Sequence, residues 1–459
     1  MRYYNPRKSQ RTRIVFFVVL IAAIALFAAF SPIFERNAPE AKLLRPPYWN
    51  PSAPLTIQLT DDRALKRYKI ALAFENEKFT LAEGDANNVK ELSIAAKYPP
   101  NKPTPKDRVT LTVEATDSSL WNFFRGNGVS VAFDLIVDRE PPVVNIVANS
   151  YSIASGGSAL VVFEAGDGNI DEIKIVTKNG RSFAVAPYYK PRYYAALIAR
   201  EIGERDFTAY ALATDLAGNQ NRVRIPLYLK EVRYKESSIE LTKTFLEGKA
   251  DDLNFRYNPR ASDENLTALD RFIFVNETLR AESLKTIELY TSPGRLPPID
   301  GFEIGAFAPL PRSKMVAGFG ERRVYTFERN RVSESYHLGI DLASVKEAAV
   351  FASNGGAAVF ASDNGVYGNT PIIHHGLGLF TLYGHCASLH VAQGDDVSKG
   401  MQIGVTGVTG FAFGDHTHFE ARVQGVAVTP IEWMDSSWIR VNVLKVQEDA
   451  KKIIDGRTR

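Results

Sequence analysis

The amino-acid sequence predicts a mostly β protein with an N-terminal transmembrane helix, two Ig-like β-sandwich modules, a short α-helical connector and a C-terminal antiparallel β domain. Its 459 residues exceed the roughly 250–300 residues at which a single core stops growing. Short runs of alternating apolar residues, separated by Gly, Asp and Asn, recur through most of the chain and are typical of antiparallel strands. One long uncharged apolar segment lies near the N-terminus.

The overall composition is that of a globular protein and argues against a nucleic-acid partner. The charged fraction of 23% and the hydrophobic fraction of 45% are ordinary values, so long disordered segments are not expected. A net charge of +3 is small for this length and does not indicate nucleic-acid binding. The single cysteine, Cys386, excludes an internal disulfide.

The N-terminal segment predicts a membrane anchor. Residues 1–13 contain only basic charges, which are predicted to stay in the cytoplasm. The apolar stretch 14–34 is long enough to span a bilayer core as a helix. The bulk of the chain would then lie on the periplasmic or extracytoplasmic side of a bacterial inner membrane, as a single-pass protein. The alternative is a cleaved signal peptide, but its apolar core would be shorter, and the stretch Ala28-Ala29-Phe30-Ser31 is a poor small-x-small cleavage site.

Two β-rich segments, 46–139 and 140–232, resemble each other and predict two Ig-like β-sandwiches. Each segment opens on a Pro-Pro pair, and each later contains an Ala-Thr-Asp triplet, ending at Asp117 in the first and Asp215 in the second. The turn after Asp215 contains Gly and Asn, the residues that best adopt positive φ. Neither segment carries a catalytic constellation, so both are predicted to be spacers or docking modules for cell-envelope proteins.

Residues 233–308 form the predicted helical connector. Leu and Phe recur at helical spacing over 262–275. Asn276 is the predicted N-cap of a following helix, in which Leu279 begins the buried stripe. The connector is expected to pack on its neighbours, and the alternative is a regulatory segment that covers an active cleft.

The C-terminal domain, 309–440, is predicted to be an antiparallel β domain that holds a histidine cluster. Its short apolar strands alternate with glycine turns, and the charged amphipathic tail, 441–459, is expected to form a short surface helix. All seven histidines of the chain lie between His337 and His418. Because imidazole is the commonest protein metal ligand and general base, this crowding indicates a chemical role.

Strand geometry predicts that these histidines share one cleft. Side chains at i and i+2 of a strand point to the same face. The rule groups His416 with His418, and His385 with Thr381 and Tyr383. If the segment around the first histidine is extended, one cleft can hold four imidazoles and a carboxylate, from His337, Asp341, His385, His416 and His418.

Two histidines and one carboxylate are the ligand set of a catalytic zinc with an open coordination position. Zinc would lower the pKa of its bound water to about 7. Two further histidines suit the roles of general base and oxyanion stabiliser. No His-Glu-x-x-His sequence occurs, which excludes a thermolysin-like enzyme with glutamate as base. The cluster therefore predicts a hydrolase.

Three motifs, in this order, resemble the lysostaphin/LytM-type zinc metallopeptidases, the β-lytic family of peptidoglycan endopeptidases, which implies a duplicated hybrid motif fold. The resemblance covers about 309–435 and rests on His337-x-x-x-Asp341, Tyr383-Gly-His385 and His416-x-His418. Each motif alone is weak, but the three together in this order are specific.

The resemblance implies one Zn²⁺ per chain, with His337, Asp341 and His418 as ligands and with His385 and His416 in the catalytic positions. It implies a membrane-anchored zinc metalloendopeptidase that hydrolyses peptide bonds in peptidoglycan stem peptides or cross-links, with the zinc-bound water as nucleophile. One alternative is a non-catalytic scaffold or activator of other cell-wall hydrolases. Another is a protease that cuts protein substrates.

Two positions depart from the family pattern without removing a ligand. Cys386 stands where Leu is usual, and Thr417 stands where a bulky apolar residue is common. We expect Cys386 to be a small buried residue, because strand alternation turns its thiol away from the cleft. His375 is expected to be structural, and His374 and His390 are expected to be solvent or turn residues.

Overall fold

The computed structural model describes residues 6–44, 47–75, 77–292 and 294–457. The first five residues of the predicted basic segment, Pro46 at the start of the first module, and the last two residues of the tail lie outside the described residues. The chain divides into two compact units, Met1–Pro141 with Thr214–Gln220, and Pro142–Ala213 with Asn221–Arg459. The prediction of a mostly β protein is confirmed. The predicted domain boundaries stay predictions.

The N-terminal apolar segment forms helix α1, Pro6–Phe30. Ser31 then caps a 3₁₀ turn, Pro32–Phe34, by accepting a hydrogen bond from the Ile33 amide. The predicted helix over 14–34 therefore ends at Phe30, because proline lacks the amide that would continue it. No helix within the described ranges is both long enough and apolar enough to cross a membrane, so the predicted transmembrane helix is not supported.

The first unit contains two β-sheets. Among its described residues the strands are β1 Glu40–Leu43, β2 Tyr48–Trp49, β3 Leu55–Thr60, β4 Leu65–Phe74, β5 Glu77–Asp85, β6 Glu91–Ala96, β7 Arg108–Asp117 and β8 Gly128–Val137. A four-residue helical turn, Trp121–Phe124, precedes the last of them. The sheet orders are β1-β3-β6 and β2-β8-β7-β4-β5. Burial alternates along β3 and β7, as expected for strands with one face on a core.

The second β-rich segment likewise forms two main sheets, here with four strands each. Its strands are β9 Val143–Asn149, β10 Ser152–Ala154, β11 Ser158–Gly166, β12 Ile170–Thr177, β13 Ser182–Phe183, β14 Ala186–Pro187, β15 Tyr193–Ala199, β16 Ala209–Asp215, β17 Gln220–Arg224 and β18 Tyr228–Lys230. The orders are β14-β15-β11-β9 and β13-β12-β16-β17. Strand β10 pairs in parallel with β18. An Ig-like topology of either module stays a prediction.

The connector is helical, as predicted, but its helices begin elsewhere. They are α2 Lys243–Leu246, α3 Lys249–Tyr257, α4 Ala268–Ile273, a π-helical segment Phe274–Leu279, and α5 Arg280–Thr291. Thr267 is the N-cap, in a capping box with Asp270. The prediction of Asn276 as N-cap is therefore wrong. Asn276 is buried inside the π-helical segment, because the preceding turns have already set its backbone in a helical conformation.

The C-terminal domain is built on one large antiparallel sheet with two smaller sheets beside it. The strands are β19 Glu236–Glu240, β20 Lys314–Ala317, β21 Arg322–Phe327, β22 Asn330–Tyr336, β23 Ile340–Ala343, β24 Ala349–Phe351, β25 Gly356–Asp363, β26 Asn369–His374, β27 Leu379–Gly384, β28 Ser388–Leu389, β29 Asp396–Val397, β30 Gln402–Val405, β31 Thr417–Val423 and β32 Val426–Val428. The large sheet has the order β20-β23-β31-β27-β26-β25-β29, and the smaller sheets are β19-β21-β22 and β24-β30-β28. Every residue of the central strand β31 is buried. A side chain on β31 is therefore held on both sides.

The chain ends in helices that pack on the second β-rich module. They are α6 Pro430–Met434, α7 Ser436–Ile439, a π-helical segment Arg440–Leu444, and α8 Lys445–Arg457. Helix α8 buries Val446, Ala450 and Ile454 and packs against β9 and β11. The predicted tail helix is present, and its apolar face is covered.

The second module and the C-terminal domain share one hydrophobic core. The buried Gln424 amide donates to the carbonyls of Ala184 and Leu197, both at 3.0 Å, and accepts from the Ala184 amide at 2.7 Å. The indole of Trp433 donates to the Ser158 hydroxyl at 3.1 Å. The second module is thus packed against the C-terminal domain within one compact unit. Its predicted role as a spacer or docking module stays a prediction.

Candidate functional site

The histidine-rich segments meet in a cleft of about 360 Å³. On strand β31, His418 lies opposite Asp341 of β23 on one side and opposite Gly384 of β27 on the other. His337 lies between β22 and β23. A Cβ at Gly339 would come within 2.5 Å of the Phe419 carbonyl and 2.8 Å of the His418 ring. Glycine at this position therefore lets the His337 segment approach the strand that carries His418.

Three side-chain atoms converge at one point of the cleft. His337 Nε2 and His418 Nδ1 each lie 2.9 Å from Asp341 Oδ1. The two ring nitrogens are 3.0 Å apart. Ligand atoms at the corners of a tetrahedral zinc site, each about 2.0–2.1 Å from the metal, are separated by roughly 3.3 Å. The triangle is close to that size, and these three residues could hold a metal ion.

The hydrogen bonds behind the cluster fix the tautomers of both rings. His337 Nδ1 lies 2.7 Å from the Gly318 carbonyl, and His418 Nε2 lies 2.9 Å from Glu420 Oε1. Both partners are acceptors, so each of these nitrogens carries the proton. When both rings are neutral, the opposite nitrogens therefore direct lone pairs at Asp341, which is itself an acceptor. Such an arrangement suits a bound cation, and outer acceptors of this kind orient metal-binding imidazoles.

Buried charges support a cation at this point. Although burial alone would lower it, Asp341 and Glu420 raise the pKa of His418 to about 9. Burial raises the pKa of Asp341, but the close His337 and His418 rings outweigh burial and hold this pKa far below its usual range, because either ring can donate to Asp341 once it takes up a further proton. Both shifts show that the site favours a positive charge between these groups.

Glu420 is the centre of a buried network behind His418. It is fully buried, accepts from Arg422 Nε at 2.7 Å, and accepts from the Tyr367 hydroxyl at 2.8 Å. Burial opposes its ionisation, but Arg422 and His418 outweigh that effect and lower the pKa of Glu420 to about 2. The carboxylate thus stays charged and keeps the proton of His418 on Nε2.

His385 and His416 form a second pair beside the cluster, with ring centroids 4.8 Å apart. His385 Nδ1 lies 2.8 Å from the Thr409 carbonyl, and His416 Nδ1 lies 2.7 Å from the Gly414 carbonyl. Because carbonyl oxygens only accept, both Nδ1 atoms act as donors. Both Nε2 atoms are left as acceptors, and both residues line the cleft. Burial, first, and the neighbouring His416 lower the pKa of His385 to about 3, which keeps this imidazole neutral.

His385 reaches the cleft by a route that strand alternation does not predict. Strand β27 ends at Gly384, and His385 has a left-handed backbone with φ of 65°. The expected grouping with Thr381 and Tyr383 is wrong. Both are buried, and Tyr383 packs on Phe419, which is on the opposite face of β31 from His418. Strand alternation ceased to apply where the strand ended.

The other histidines and the cysteine lie outside the cluster. Cys386 is buried, as expected. His375 is held by the Gly355 carbonyl and the Thr381 hydroxyl, each at 2.7 Å, which is a structural role. His390 is exposed. The expectation for His374 is wrong, because its ring is partly buried and stacks on Phe380 at 4.4 Å.

Sequence reasoning missed the residues that support the cluster. Glu420 stands two positions after His418 on the same strand, so the i+2 rule could have placed both on one face. Tyr367, Arg323 and Arg280 also line the cleft, but they come from separate parts of the chain and carry no local signal.

Comparisons with known proteins agree with this geometry. Residues 335–430 match peptidase family M23. The DD-carboxypeptidase/endopeptidase Mpg of Neisseria meningitidis is 37% identical over 131 residues, which are 28% of this chain and 29% of that protein. The murein hydrolase activator NlpD of Escherichia coli is 34% identical over 104 residues, 22% of this chain and 27% of that protein. The matches therefore span less than a third of these curated relatives.

Among solved structures, the chain is similar to a putative peptidase M23 from Pseudomonas aeruginosa, with 15% identity and a TM-score of 0.38 over 62% of this chain and 95% of that one. The predicted resemblance to LytM-type peptidases is confirmed. The converging cluster lies within residues 335–430, the segment of this chain that matches peptidase family M23.

Proposed function

We propose that this protein is a zinc metalloendopeptidase that hydrolyses peptide bonds in peptidoglycan stem peptides or cross-links. The observation that carries the proposal is the convergence of His337 Nε2, His418 Nδ1 and Asp341 Oδ1, each within 3.0 Å of the other two. Three acceptors at such distances have no proton to share among them when both rings are neutral. They fit a metal ion instead.

The three residues would hold one zinc ion per chain. When bound, zinc supplies a Lewis acid that polarises a carbonyl group and lowers the pKa of a water molecule. The residues of the chain keep the ligands in place: Gly318 and Glu420 fix the two ring tautomers. Asp341 contributes the negative charge that a divalent cation requires.

His416 and His385 take the acid–base roles in this proposal. Their Nδ1 protons are donated to backbone carbonyls, which leaves Nε2 free to take a proton from the attacking water. Burial keeps His385 neutral, with Nε2 as an acceptor that can orient the attacking water. Because the lowered pKa makes His385 a weak base, we assign the proton transfer to His416. After the transfer, the protonated ring is a donor for the developing oxyanion or the leaving amine.

The substrate class is supported by the relatives' names. Mpg is named a carboxypeptidase and endopeptidase, whereas NlpD is named an activator of murein hydrolases. An activator needs no metal site, so the complete ligand set of this chain favours catalysis. The match covers only part of each relative, and the substrate is therefore part of our proposal.

The test is hydrolysis of cross-linked peptidoglycan by the purified full chain loaded with zinc. We expect new free amines to form, and we expect none from His418→Ala. His390→Ala changes an exposed histidine outside the cleft and is the matched control, which should retain activity. If wild type and His418→Ala release the same small amount, the chain does not hydrolyse this substrate.

Two further assays separate the alternatives. Added to a partner cell-wall hydrolase, an activator would increase that hydrolase's rate equally well as wild type and as His418→Ala. A protease for protein substrates would cleave peptides that contain only L-amino acids. Our proposal requires cleavage of stem peptides and predicts neither of these results.

We also propose that the C-terminal domain acts outside the cytoplasmic membrane, where peptidoglycan lies. The proposal does not rely on a membrane span. Protease treatment of intact spheroplasts should degrade the C-terminal domain, and protection of the domain would contradict the proposal. Docking of cell-envelope proteins on the first module stays a prediction.

A further inference from the structure

An arginine from the connector enters the cleft that holds the histidine cluster. Arg280 is the first residue of helix α5 and lines the cleft together with His337, Asp341 and His418. It lies well before the segment 335–430 that matches the peptidase family. The family match therefore assigns it no role.

The Arg280 guanidinium has no carboxylate partner among the residues that the structure describes. Within the same residues its hydrogen bonds go to Asn276 alone, from Nε to the backbone carbonyl at 3.2 Å and from Nη2 to Oδ1 at 3.0 Å. No acidic side chain among the described residues forms an ion pair with it, although the chain pairs most of its cleft charges. An arginine paired only by a neutral amide retains most of its capacity to bind an anion.

Asn276 holds Arg280 in a defined position. The Asn276 side chain is buried, and its Nδ2 donates to the Ser333 hydroxyl at 2.8 Å. Its Oδ1 is thereby fixed towards Arg280. Asn276 lies in the π-helical segment Phe274–Leu279, and π-helical turns inside helices are frequent at functional sites. The arginine is thus a built feature of the cleft wall and not a solvated side chain.

A second arginine lies nearby on the same cleft wall. Arg323 lines the cleft and is compensated by Glu321 at 3.1 Å, with Asp341 at 3.9 Å. Burial, first, and the neighbouring Arg323 lower the pKa of Arg280, while Glu420 acts in the opposite sense. Glu420 is already paired with Arg422 and His418, so an excess of positive charge remains on this wall.

We infer that Arg280, positioned by Asn276 and assisted by Arg323, forms a subsite for a carboxylate of the peptide substrate next to the scissile bond. The guanidinium presents two N–H groups to a carboxylate in a fork that a point charge cannot reproduce. The subsite makes Arg280 a specificity-determining residue supplied by the connector. This inference rests on the proposed hydrolysis of stem peptides, and it names the substrate group that the cleft selects.

The test uses two synthetic cross-linked stem peptides that differ in one group. The residue next to the scissile bond carries a free carboxylate in one peptide and a carboxamide in the other. For the zinc-loaded full chain we expect kcat/KM to be about tenfold to a hundredfold higher on the carboxylate peptide, as for a hydrogen bond to a charged group. Arg280→Gln should abolish the preference, mainly through KM. Arg280→Lys should keep part of it.

The matched control is Arg260→Gln. Arg260 is an exposed arginine of the same connector that pairs with Asp263, and its loss should leave the preference unchanged. Zinc content and circular dichroism of each variant establish that it has folded. The subsite is refuted if wild type shows no preference, if Arg280→Gln keeps the preference, or if that variant lowers kcat equally on both peptides, which would indicate oxyanion stabilisation.

Equilibrium binding separates this inference from the proposed function. Both peptides are titrated onto zinc-loaded wild type and Arg280→Gln by calorimetry. Tighter binding of the carboxylate peptide that depends on Arg280, without any cleavage, would leave the subsite standing and refute the hydrolysis. Cleavage of both peptides with equal efficiency would leave the hydrolysis standing and refute the subsite.

Discussion

Two buried polar clusters in the second unit differ in how their hydrogen bonds are completed. At the contact between the second module and the C-terminal domain, the Gln424 amide and the Trp433 indole meet protein donors or acceptors at ordinary distances. In the cleft, three acceptor atoms face each other instead. Buried polar groups are normally paired. The first cluster is therefore complete without a ligand. When both rings are neutral, the second is completed by a bound cation or by one further proton on a ring.

Whether a buried polar group already has a partner thus distinguishes the structural cluster at Gln424 and Trp433 from the chemical cluster in the cleft. Within the cleft, the same reasoning separates two histidine pairs. His337 and His418 direct lone pairs at Asp341, whereas His385 and His416 direct Nε2 into the open cleft. His416 Nε2 is 3.6 Å from Asp341 Oδ1, outside the triangle of close contacts. The first pair is therefore expected to bind the metal, and the second to move protons.

The largest effect is expected from His418→Ala, which tests whether the cleft cluster needs a cation. Removing one of three converging ligand atoms should weaken zinc binding by more than about a hundredfold, because even outer partners of metal ligands are worth 10–100-fold. Zinc per chain is measured by mass spectrometry after dialysis against a weak chelator. A variant that still retains one zinc ion per chain would show that His418 is not a ligand.

The next largest effect is expected from His416→Ala, which tests the division between the two histidine pairs. The variant should keep its zinc and lose about 10²–10⁴-fold in kcat, the usual contribution of a general acid or base. Zinc content and the rate of stem-peptide cleavage are measured on the same sample. Loss of zinc together with activity would place His416 among the ligands and break the comparison.

Glu432 tests the structural cluster, through the pH dependence of stability. Burial raises its pKa to about 7 from an ordinary value of 4.5, and Oε2 accepts from the Ser158 amide at 3.1 Å. The folded state therefore binds a proton more tightly than the unfolded state. Stability falls as pH rises from about 4.5 to about 7, by about 3 kcal/mol at roughly 1.4 kcal/mol for each pKa unit.

Glu432→Gln should remove this dependence. Urea unfolding at pH 5 and pH 8 is compared for wild type, Glu432→Gln and the control Glu448→Gln, which changes an exposed glutamate on α8. We expect Glu432→Gln to be more stable than wild type at pH 8 and nearly equal to it at pH 5. If wild type and Glu432→Gln had the same difference in unfolding free energy between pH 5 and pH 8, Glu432 would not take up a proton on folding.

The smallest effect is expected from Tyr367→Phe, which sharpens the picture of the cleft cluster. The change removes the hydroxyl that donates to Glu420 Oε1, while Arg422 and His418 still hold the carboxylate. Residues that bond directly to a metal ligand are worth about 10–100-fold in metal affinity. The Tyr367 hydroxyl bonds to Glu420, one residue further from the metal, so we expect zinc affinity to change by less than about tenfold. Competition with a zinc-binding dye measures this affinity. A loss as large as that of His418→Ala would show that the network acts as one unit.

Much of the site could be predicted from the sequence because its chemistry lies in short motifs. His337, Asp341 and His418 are close to one another in the fold, as their spacing and the family resemblance implied. The strand rule worked for His418 because it lies on a regular strand. It was wrong for His385, whose left-handed backbone follows the end of the strand.

The boundaries of helices were harder to predict than their presence. The connector is helical, but its cap is Thr267, and Asn276 lies buried inside a helical segment where the sequence suggested a helix start. A cap residue is recognised by the free amides that it accepts from at a helix start. The helix that begins after Thr267 continues through Asn276, so no helix start with free amides follows Asn276. The apolar N-terminal helix likewise ends at Phe30, before the proline.

By itself the sequence determined the residue types that converge in the cleft, the alternation that makes the chain mostly β, and the peptidase family. Tertiary structure alone decided which nitrogen of each histidine points inward, that Glu420 and Arg422 lie behind the cluster, and that Arg280 enters the cleft from the connector. The physical reason is the distance along the chain over which each kind of interaction acts. Motifs and periodicity act between neighbours in the chain, whereas tautomers and unpaired charges depend on groups that only folding brings together.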